Sequence, residues 1–146
     1  MQSFVTNFPA KNGTLGMKIM VVDDNPEILE VLSSAIRLWG HAVDTACDGV
    51  DAINLQLKNR YDVIVTDADM PRMDGFKLCK FMKEQFPDLY VIGMSGTCGA
   101  KAFKDAGVDL YLAKPFTVVD LQKAVKSGQR FFQVTPGDMK SGESSL

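Results

Sequence analysis

The sequence has few of the residues on which disulfide frameworks, thiolate metal centres and histidine catalysis depend. Its 146 residues include three cysteines and one histidine. Cys47, Cys79 and Cys98 form no C-x-x-C pair and match no metal-binding pattern, so we expect reduced thiols in a cytoplasmic protein. His41 lacks a second histidine for a metal site or a catalytic triad, and we expect it to be structural.

Long apolar runs and an excess of charge of one sign are also missing. No apolar stretch approaches the ~20 residues of a membrane span, and residues 1–16 lack the apolar segment of a signal peptide. A formal net charge of −2 without a Lys/Arg-rich run argues against a nucleic-acid partner. The length and the 46% hydrophobic content are typical of one globular domain.

Strand-like and helix-like patterns alternate with short links, which predicts a parallel sheet built from βαβ units. The predicted strands are Lys18–Val22, His41–Ala46, Tyr61–Thr66, Leu89–Met94 and Asp109–Ala113. The predicted helices begin at Pro26 and stop at Gly40, run from Gly49 to Lys58, follow Asp74 to about Phe86, and run from Ala100 to Ala106 and from Thr117 to about Arg130. The predicted helix caps are Asn25, Asp74 and the pair Thr117 and Asp120. Five strands and five helices predict an α/β three-layer, doubly wound sandwich of order 2-1-3-4-5, which is flavodoxin-like. We expect a flexible leader over 1–16, one domain over 17–131 and a disordered tail over 132–146.

Acidic side chains stand at the ends of two of the predicted buried strands. Asp23 and Asp24 follow the first strand, and Asp67 follows the third. In a 2-1-3-4-5 sheet these strand ends are neighbours, and ligands bind outside the carboxyl ends of the strands. Two carboxylates about 4 Å apart repel by about 4 kcal/mol at an effective dielectric near 20. The sequence therefore predicts a site for a hard divalent cation such as Mg²⁺.

Two further polar side chains are predicted to reach the same crevice. Ser95 follows the fourth strand and Lys114 follows the fifth. A set of three acids, a hydroxyl and an ammonium suits phosphoryl transfer, in which a protein mainly positions groups and neutralises charge. A carboxylate can also act as the nucleophile and form an aspartyl phosphate.

Four separate motifs make the chain resemble the receiver domain of two-component response regulators, of the stand-alone type. They fall in that family's order, near its spacing, and cover residues 17–130. The motifs are VVDDN (Val21–Asn25), VIVTDADMPRMDG (Val63–Gly75), MSG (Met94–Gly96) and YLAKPF (Tyr111–Phe116).

The resemblance implies a phosphorylation-activated signalling protein rather than a classical enzyme. Asp67 would accept a phosphoryl group from the phosphohistidine of a sensor histidine kinase or a phosphotransfer protein. Asp24 and Asp67 would ligate Mg²⁺ directly, Asp23 largely through water, and Asp69 through its main-chain carbonyl. Such a domain would promote its own phosphorylation and dephosphorylation.

The resemblance also implies a conformational switch. Ser95 and Lys114 would contact the phosphoryl group, Ser95 would draw in the loop after the fourth strand, and Tyr111 would swing its ring inward. The Lys114–Pro115 peptide is expected to be cis, which costs little before proline. The output would pass to a downstream protein effector, because too few residues follow Arg130 for a DNA-binding domain.

Two other readings of the same residues stay open at this point. The run VIVTDADM also fits the D-x-D nucleophile motif of haloacid-dehalogenase-like phosphatases, although no second acid pair follows it. A phosphorylation-independent, receiver-like binding module is the other alternative, although it predicts missing acids or a missing lysine. The segment between Ser95 and Gly107 predicts a fourth helix about one turn short, which puts the usual signalling face in doubt.

Overall fold

The structure, a computed structural model, describes residues 16–96 and 98–133, and side chains as far as residue 131. The strands are β1 (Lys18–Val22), β2 (Ala42–Ala46), β3 (Val63–Asp67), β4 (Tyr90–Ser95) and β5 (Leu110–Ala113). The helices are α1 (Pro26–Leu38), α2 (Gly49–Asn59), α3 (Gly75–Gln85), α4 (Ala100–Ala106) and α5 (Val118–Gln133). The predicted leader and tail lie outside the described residues, apart from Gly16 and residues 132–133.

The five strands form one parallel sheet of order β2-β1-β3-β4-β5, which confirms the predicted flavodoxin-like fold. In the register, Val22 lies opposite Thr66, and Asp67 lies opposite Met94. The carboxyl ends of β1, β3 and β4 therefore finish side by side. Among the described residues, no helix is both long and apolar enough to cross a bilayer.

Both faces of the sheet are covered, so its central strands are buried throughout. One core cluster contains Ile19, Val65 and Ile92 together with buried residues of α1 and α5. The other contains Met20, Ile64 and Phe103 and lies with residues of α2, α3 and α4. Alternate residues of the same strand thus face opposite layers, as the period of two in a strand requires.

Several predicted strand limits differ from the structure by one or two residues. The second, fourth and fifth strands begin one residue late, at Ala42, Tyr90 and Leu110, and the third begins at Val63. Tyr61 stays outside β3 because the Gln56 side chain accepts its backbone N–H at 3.0 Å. Asp67 and Ser95 are themselves the last strand residues rather than the first loop residues. The last helix also continues past Arg130 to Gln133.

Side-chain caps explain where the helices begin. The Asn25 side chain accepts from the backbone N–H groups of Glu27 and Ile28, ahead of Pro26 at the first helical position. At α5, Thr117 and Asp120 exchange two hydrogen bonds of 3.0 Å in a reciprocal capping box. These caps lie where the sequence predicted them.

Helix α4 is short, as predicted, with seven residues. Its Phe103 is fully buried against β4, at the point where the strand carries Gly93. A Cβ atom at Gly93 would lie 2.7 Å from the Phe103 ring. The missing side chain on the strand therefore lets a short helix bury an aromatic ring.

His41 joins the start of β1 to the start of β2. Its buried ring accepts the backbone N–H of Met17 at Nδ1 over 3.0 Å. Burial lowers the pKa of His41 below its usual value, and the nearby Asp62 carboxylate only partly opposes this. The structural role expected for the lone histidine agrees with this geometry.

We predict that His41 weakens the fold in acid. Because its folded pKa is lowered, the unfolded chain takes up the proton first, and stability falls as the pH drops through the unfolded value of about 6.5. Chemical denaturation of wild type and His41→Asn, which keeps an acceptor near Nδ1, measures this at about pH 5.5 and pH 7.5. The wild type should lose more stability on acidification than the variant, and equal losses would contradict the account.

Candidate functional site

The acids that follow β1 and terminate β3 lie in one crevice at the carboxyl edge of the sheet. Asp23, Asp24 and Asp67 each offer a carboxylate oxygen within 4.8 Å of the others. Asp23 is 2% exposed and Asp67 8%, whereas Asp24 is open to solvent. Residues more than forty positions apart meet here because β1 and β3 are hydrogen-bonded neighbours.

Asp23 carries the least satisfied polar atom of the crevice. Its Oδ1 accepts the backbone N–H of Asn25 at 3.0 Å, while its Oδ2 is buried and has no hydrogen-bond partner within residues 16–96 and 98–133. Lys114 Nζ is 3.9 Å from that oxygen. Burial raises the pKa of Asp23, the Asn25 hydrogen bond opposes the rise, and the Asp67 carboxylate adds to it.

Asp67 has partners from two directions. Its Oδ1 accepts from Lys114 Nζ at 2.6 Å, and its Oδ2 accepts from the backbone N–H of Asp69 at 3.3 Å. Lys114 reaches it from the end of β5, where the Lys114–Pro115 peptide is cis, as predicted. The Asp69 side chain is exposed at the mouth of the crevice.

The crevice fits a hard divalent cation. In the part of the chain that the structure describes, three carboxylates share the crevice with one ammonium group, and one buried carboxylate oxygen has no donor. Mg²⁺ takes oxygen ligands and keeps several waters, and the exposed Asp24 leaves room for those waters. The donor set therefore matches Mg²⁺ in both charge and chemistry.

Ser95 and Tyr111 form a pair beside the acids. Ser95 Oγ lies 2.8 Å from the Tyr111 hydroxyl and 3.0 Å from the carbonyl of Gly96. The Tyr111 hydroxyl also donates to the Gly96 carbonyl at 2.6 Å. The ring therefore already reaches the loop after β4, and a Cβ at Gly99 would lie only 1.9 Å from Ser95 Oγ.

One group close to the crevice was missed from the sequence. The Arg72 guanidinium binds Asp48 through two hydrogen bonds and Asp51 through one. One sequence signal could have pointed to Asp48: an aspartate directly before the start of α2 is a common helix cap. Arg72 itself belongs to no pattern that predicts a contact across 24 positions.

The structure also groups Cys47, Asp48 and Asp51 closely enough to hold an ion. Arg72 already neutralises both carboxylates of this group. The Cys47 thiol donates to Asp51 at 2.8 Å, and this hydrogen bond raises its pKa, so the thiolate ligand is disfavoured. The crevice at Asp67 therefore suits a cation better than this cluster does.

Comparison with known proteins agrees with this geometry. The family model for the response regulator receiver domain matches residues 19–126. Response regulator MprA of Mycobacterium sp. (strain KMS) is 36% identical over 108 residues, covering 72% of this chain and 47% of that protein. MprA of Mycobacterium leprae is 32% identical over 114 residues, covering 76% and 50%. The chain thus spans about half the length of these relatives.

Solved structures show the same similarity. The chemotaxis response regulator CheY4 of Vibrio cholerae has a TM-score of 0.72 and 30% identity, over 77% of this chain and 98% of that one. The receiver domain of the sensor histidine kinase PA1611 of Pseudomonas aeruginosa has a TM-score of 0.72 and 28% identity, over 78% and 98%. That structure holds a magnesium ion in its active-site cleft. The chain belongs to the response regulator receiver domain family of two-component signalling systems.

Proposed function

We propose that this protein is a signalling receiver that is phosphorylated on Asp67 and changes its contacts with a protein partner. Phosphorylation and Mg²⁺ binding are typical of the family. The observation that carries the proposal is the pairing of Asp67 with Lys114 at 2.6 Å beside two further carboxylates. A nucleophile, an ammonium group and a cation site then lie together, which phosphoryl transfer requires.

In the proposed reaction, an Asp67 carboxylate oxygen attacks the phosphorus of a phosphohistidine. The new O–P bond forms as the N–P bond breaks, and the imidazole nitrogen keeps the electron pair and then takes up a proton. Lys114 follows the transferred group as a mobile point charge. The backbone N–H of Asp69 already holds Asp67 Oδ2, which orients the carboxylate for attack.

The cation would be held by Asp24, Asp67 and the main-chain carbonyl of Asp69, with Asp23 acting largely through water. When bound, Mg²⁺ supplies positive charge that offsets the repulsion between the acids and the incoming phosphoryl oxygens. The unpartnered oxygen of Asp23 supports this assignment, because a buried carboxylate oxygen without a donor is costly.

Ser95 and Tyr111 supply the proposed switch. Ser95 Oγ donates to the Gly96 carbonyl and shares a second hydrogen bond with the Tyr111 hydroxyl, in which either oxygen can be the donor. When Ser95 turns to a phosphoryl oxygen, both contacts are lost. Tyr111 and the loop at Gly96 must then rearrange, which changes the surface around the short α4.

The family acts with histidine kinases and downstream effectors. For this chain we propose a sensor histidine kinase or phosphotransfer protein as the donor, and a protein effector as the target. Membership of the receiver family leaves the haloacid-dehalogenase alternative without support. A phosphorylation-independent binding module stays the second candidate function, and the cytoplasmic location stays a prediction.

We predict that acetyl phosphate with Mg²⁺ adds one phosphoryl group to the chain. Asp67→Asn removes the nucleophile but keeps the shape of the side chain, so it should abolish the labelling and leave the fold intact. Intact-mass spectrometry measures the added group, and a thermal melt checks the fold.

Asp74→Asn is the matched control for this experiment. Asp74 lies in the same loop and caps α3 by accepting the backbone N–H of Lys77, a role that asparagine also fills. The control should label like the wild type. A wild type that takes no phosphoryl group under donor excess would favour the binding-module alternative.

We also predict that Asp23→Asn stabilises the metal-free protein. The amide removes a buried negative charge that Asp67 and Asp24 repel, which we expect to be worth about 1 kcal/mol. For a domain of this size that raises Tm by about 4 °C in the presence of a chelator. Scanning calorimetry measures the shift, and Asp24→Asn should give a smaller gain because Asp24 is exposed.

Asp88→Asn serves as the control for this stability measurement, because Asp88 is an exposed acid before β4, at the opposite edge of the sheet. It should leave Tm unchanged. In the wild type, added Mg²⁺ should raise Tm, while in Asp23→Asn this effect should shrink. Earlier melting of Asp23→Asn in chelator would contradict the electrostatic account.

A further inference from the structure

The loop that follows the acceptor is tied to a neighbouring helix by one side chain. We call residues 68–74, between β3 and α3, the acceptor loop. At its tip, Arg72 Nε donates to Asp48 Oδ2 at 2.7 Å and Arg72 Nη2 donates to Asp48 Oδ1 at 3.1 Å. The same Nη2 donates to Asp51 at 3.0 Å. This is a two-pronged guanidinium–carboxylate contact, the geometry that makes such pairs directional.

The carboxylate that receives Arg72 is itself held in place. Asp48 is 4% exposed and caps α2 by accepting the backbone N–H of Asp51 at 2.9 Å. Hydrogen bonds from Arg72 lower the pKa of Asp48, so the pair stays charged over the working pH range. The tip of the acceptor loop is thus bound to the first turn of α2.

Two other features describe how the tip of the loop sits against α2. Arg72 has a backbone φ of 65°, a left-handed conformation that costs free energy for a residue with a Cβ. Next to it, Met73 packs directly over Gly49, where a Cβ would lie 2.7 Å from the methionine side chain. Loop and helix therefore approach more closely than an ordinary side chain at position 49 would allow.

The other end of the loop is fixed beneath the acceptor. The backbone N–H of Gly75 donates to the Ala68 carbonyl at 2.8 Å, and a Cβ at Gly75 would lie 1.9 Å from the Asp67 carbonyl. Asp69 lies between this base and the tip at Arg72. With both ends fixed, the main chain of Asp69 has little freedom beside Asp67.

We propose that Arg72 is a positioning residue for the acceptor site, because its contact with Asp48 holds the acceptor loop, and with it Asp69, in the arrangement that receives the cation. This inference rests on the proposed function and extends it to a residue outside the crevice. Within the described residues, the side-chain hydrogen bonds of Arg72 go to Asp48 and Asp51 and not to Asp23, Asp24 or Asp67. It acts through the loop backbone and through α2.

The test compares Mg²⁺ affinity by calorimetry, well below Tm, with the rate of labelling by acetyl phosphate. Arg72→Ala should weaken Mg²⁺ binding about tenfold, the lower end of what groups outside the direct ligands contribute. Arg72→Lys should recover only part of this, because an ammonium lacks the two-pronged geometry. Labelling should slow in parallel in both variants.

A double-mutant cycle identifies the partner. Asp48→Asn keeps the oxygen that caps α2 and accepts from Arg72 Nη2, but it places an amide opposite Arg72 Nε and so breaks the two-pronged, charged contact. It should weaken Mg²⁺ binding as Arg72→Ala does, and the double variant should be no weaker than either single variant. Additive losses would overturn the proposal.

Lys83→Met is the control for a purely structural effect. Lys83 pairs with Asp109 at 2.8 Å at the opposite edge of the sheet, so its loss should lower Tm and leave Mg²⁺ affinity unchanged. If Arg72→Ala binds Mg²⁺ as tightly as the wild type, or if Lys83→Met loses as much affinity as Arg72→Ala, the positioning role of Arg72 is wrong. Neither result would contradict the proposed function. A wild type that neither binds Mg²⁺ nor is labelled would overturn the proposed function together with it.

Discussion

The repulsion among three carboxylates gathered at one edge of the sheet is the constraint on which the rest of the structure depends. A fold gains nothing by burying Asp23 with one oxygen unpartnered, or by placing Asp67 and Asp24 beside it. Lys114 compensates only in part, since it pairs closely with Asp67 and lies 3.9 Å from Asp23. The remaining negative charge favours a small divalent cation, and in the proposed function that cation offsets the repulsion between the acids and an incoming phosphoryl group. The clustered acids lower the stability of the fold, and packing elsewhere in the domain compensates for this loss.

Close packing directly below the crevice offsets the unfavourable free energy of these clustered acids. The β1, β3 and β4 strands are buried on both faces, so the strand ends that bear the acids have little freedom. Close backbone approaches at Gly75 and Gly99 bring α3 under Asp67 and the start of α4 against Ser95. The contact of Arg72 with Asp48 extends the same principle to the acceptor loop. In the proposed function, this rigid placement would couple phosphorylation of Asp67 to a movement of Tyr111.

Much of this could be predicted from sequence because it depends on local patterns. Apolar runs, caps and the acids at strand ends specify the sheet order and the cluster of Asp23, Asp24 and Asp67. The two-residue error at the start of the third strand arises where a side chain competes for a backbone group, as Gln56 does at Tyr61. Arg72 could not be found, because its contact joins two loops that only the folded chain brings together. The hydrogen bond between Ser95 and Tyr111 is likewise a property of the tertiary packing, while the family resemblance implied only their roles.

The position of the cation tests the central claim most directly. Crystals grown with Mn²⁺ in place of Mg²⁺ would locate the ion by its anomalous scattering. The account predicts one peak in direct contact with carboxylate oxygens of Asp24 and Asp67 and close to Asp23. No peak in that crevice, or a peak only at the cluster of Cys47, Asp48 and Asp51, would contradict it.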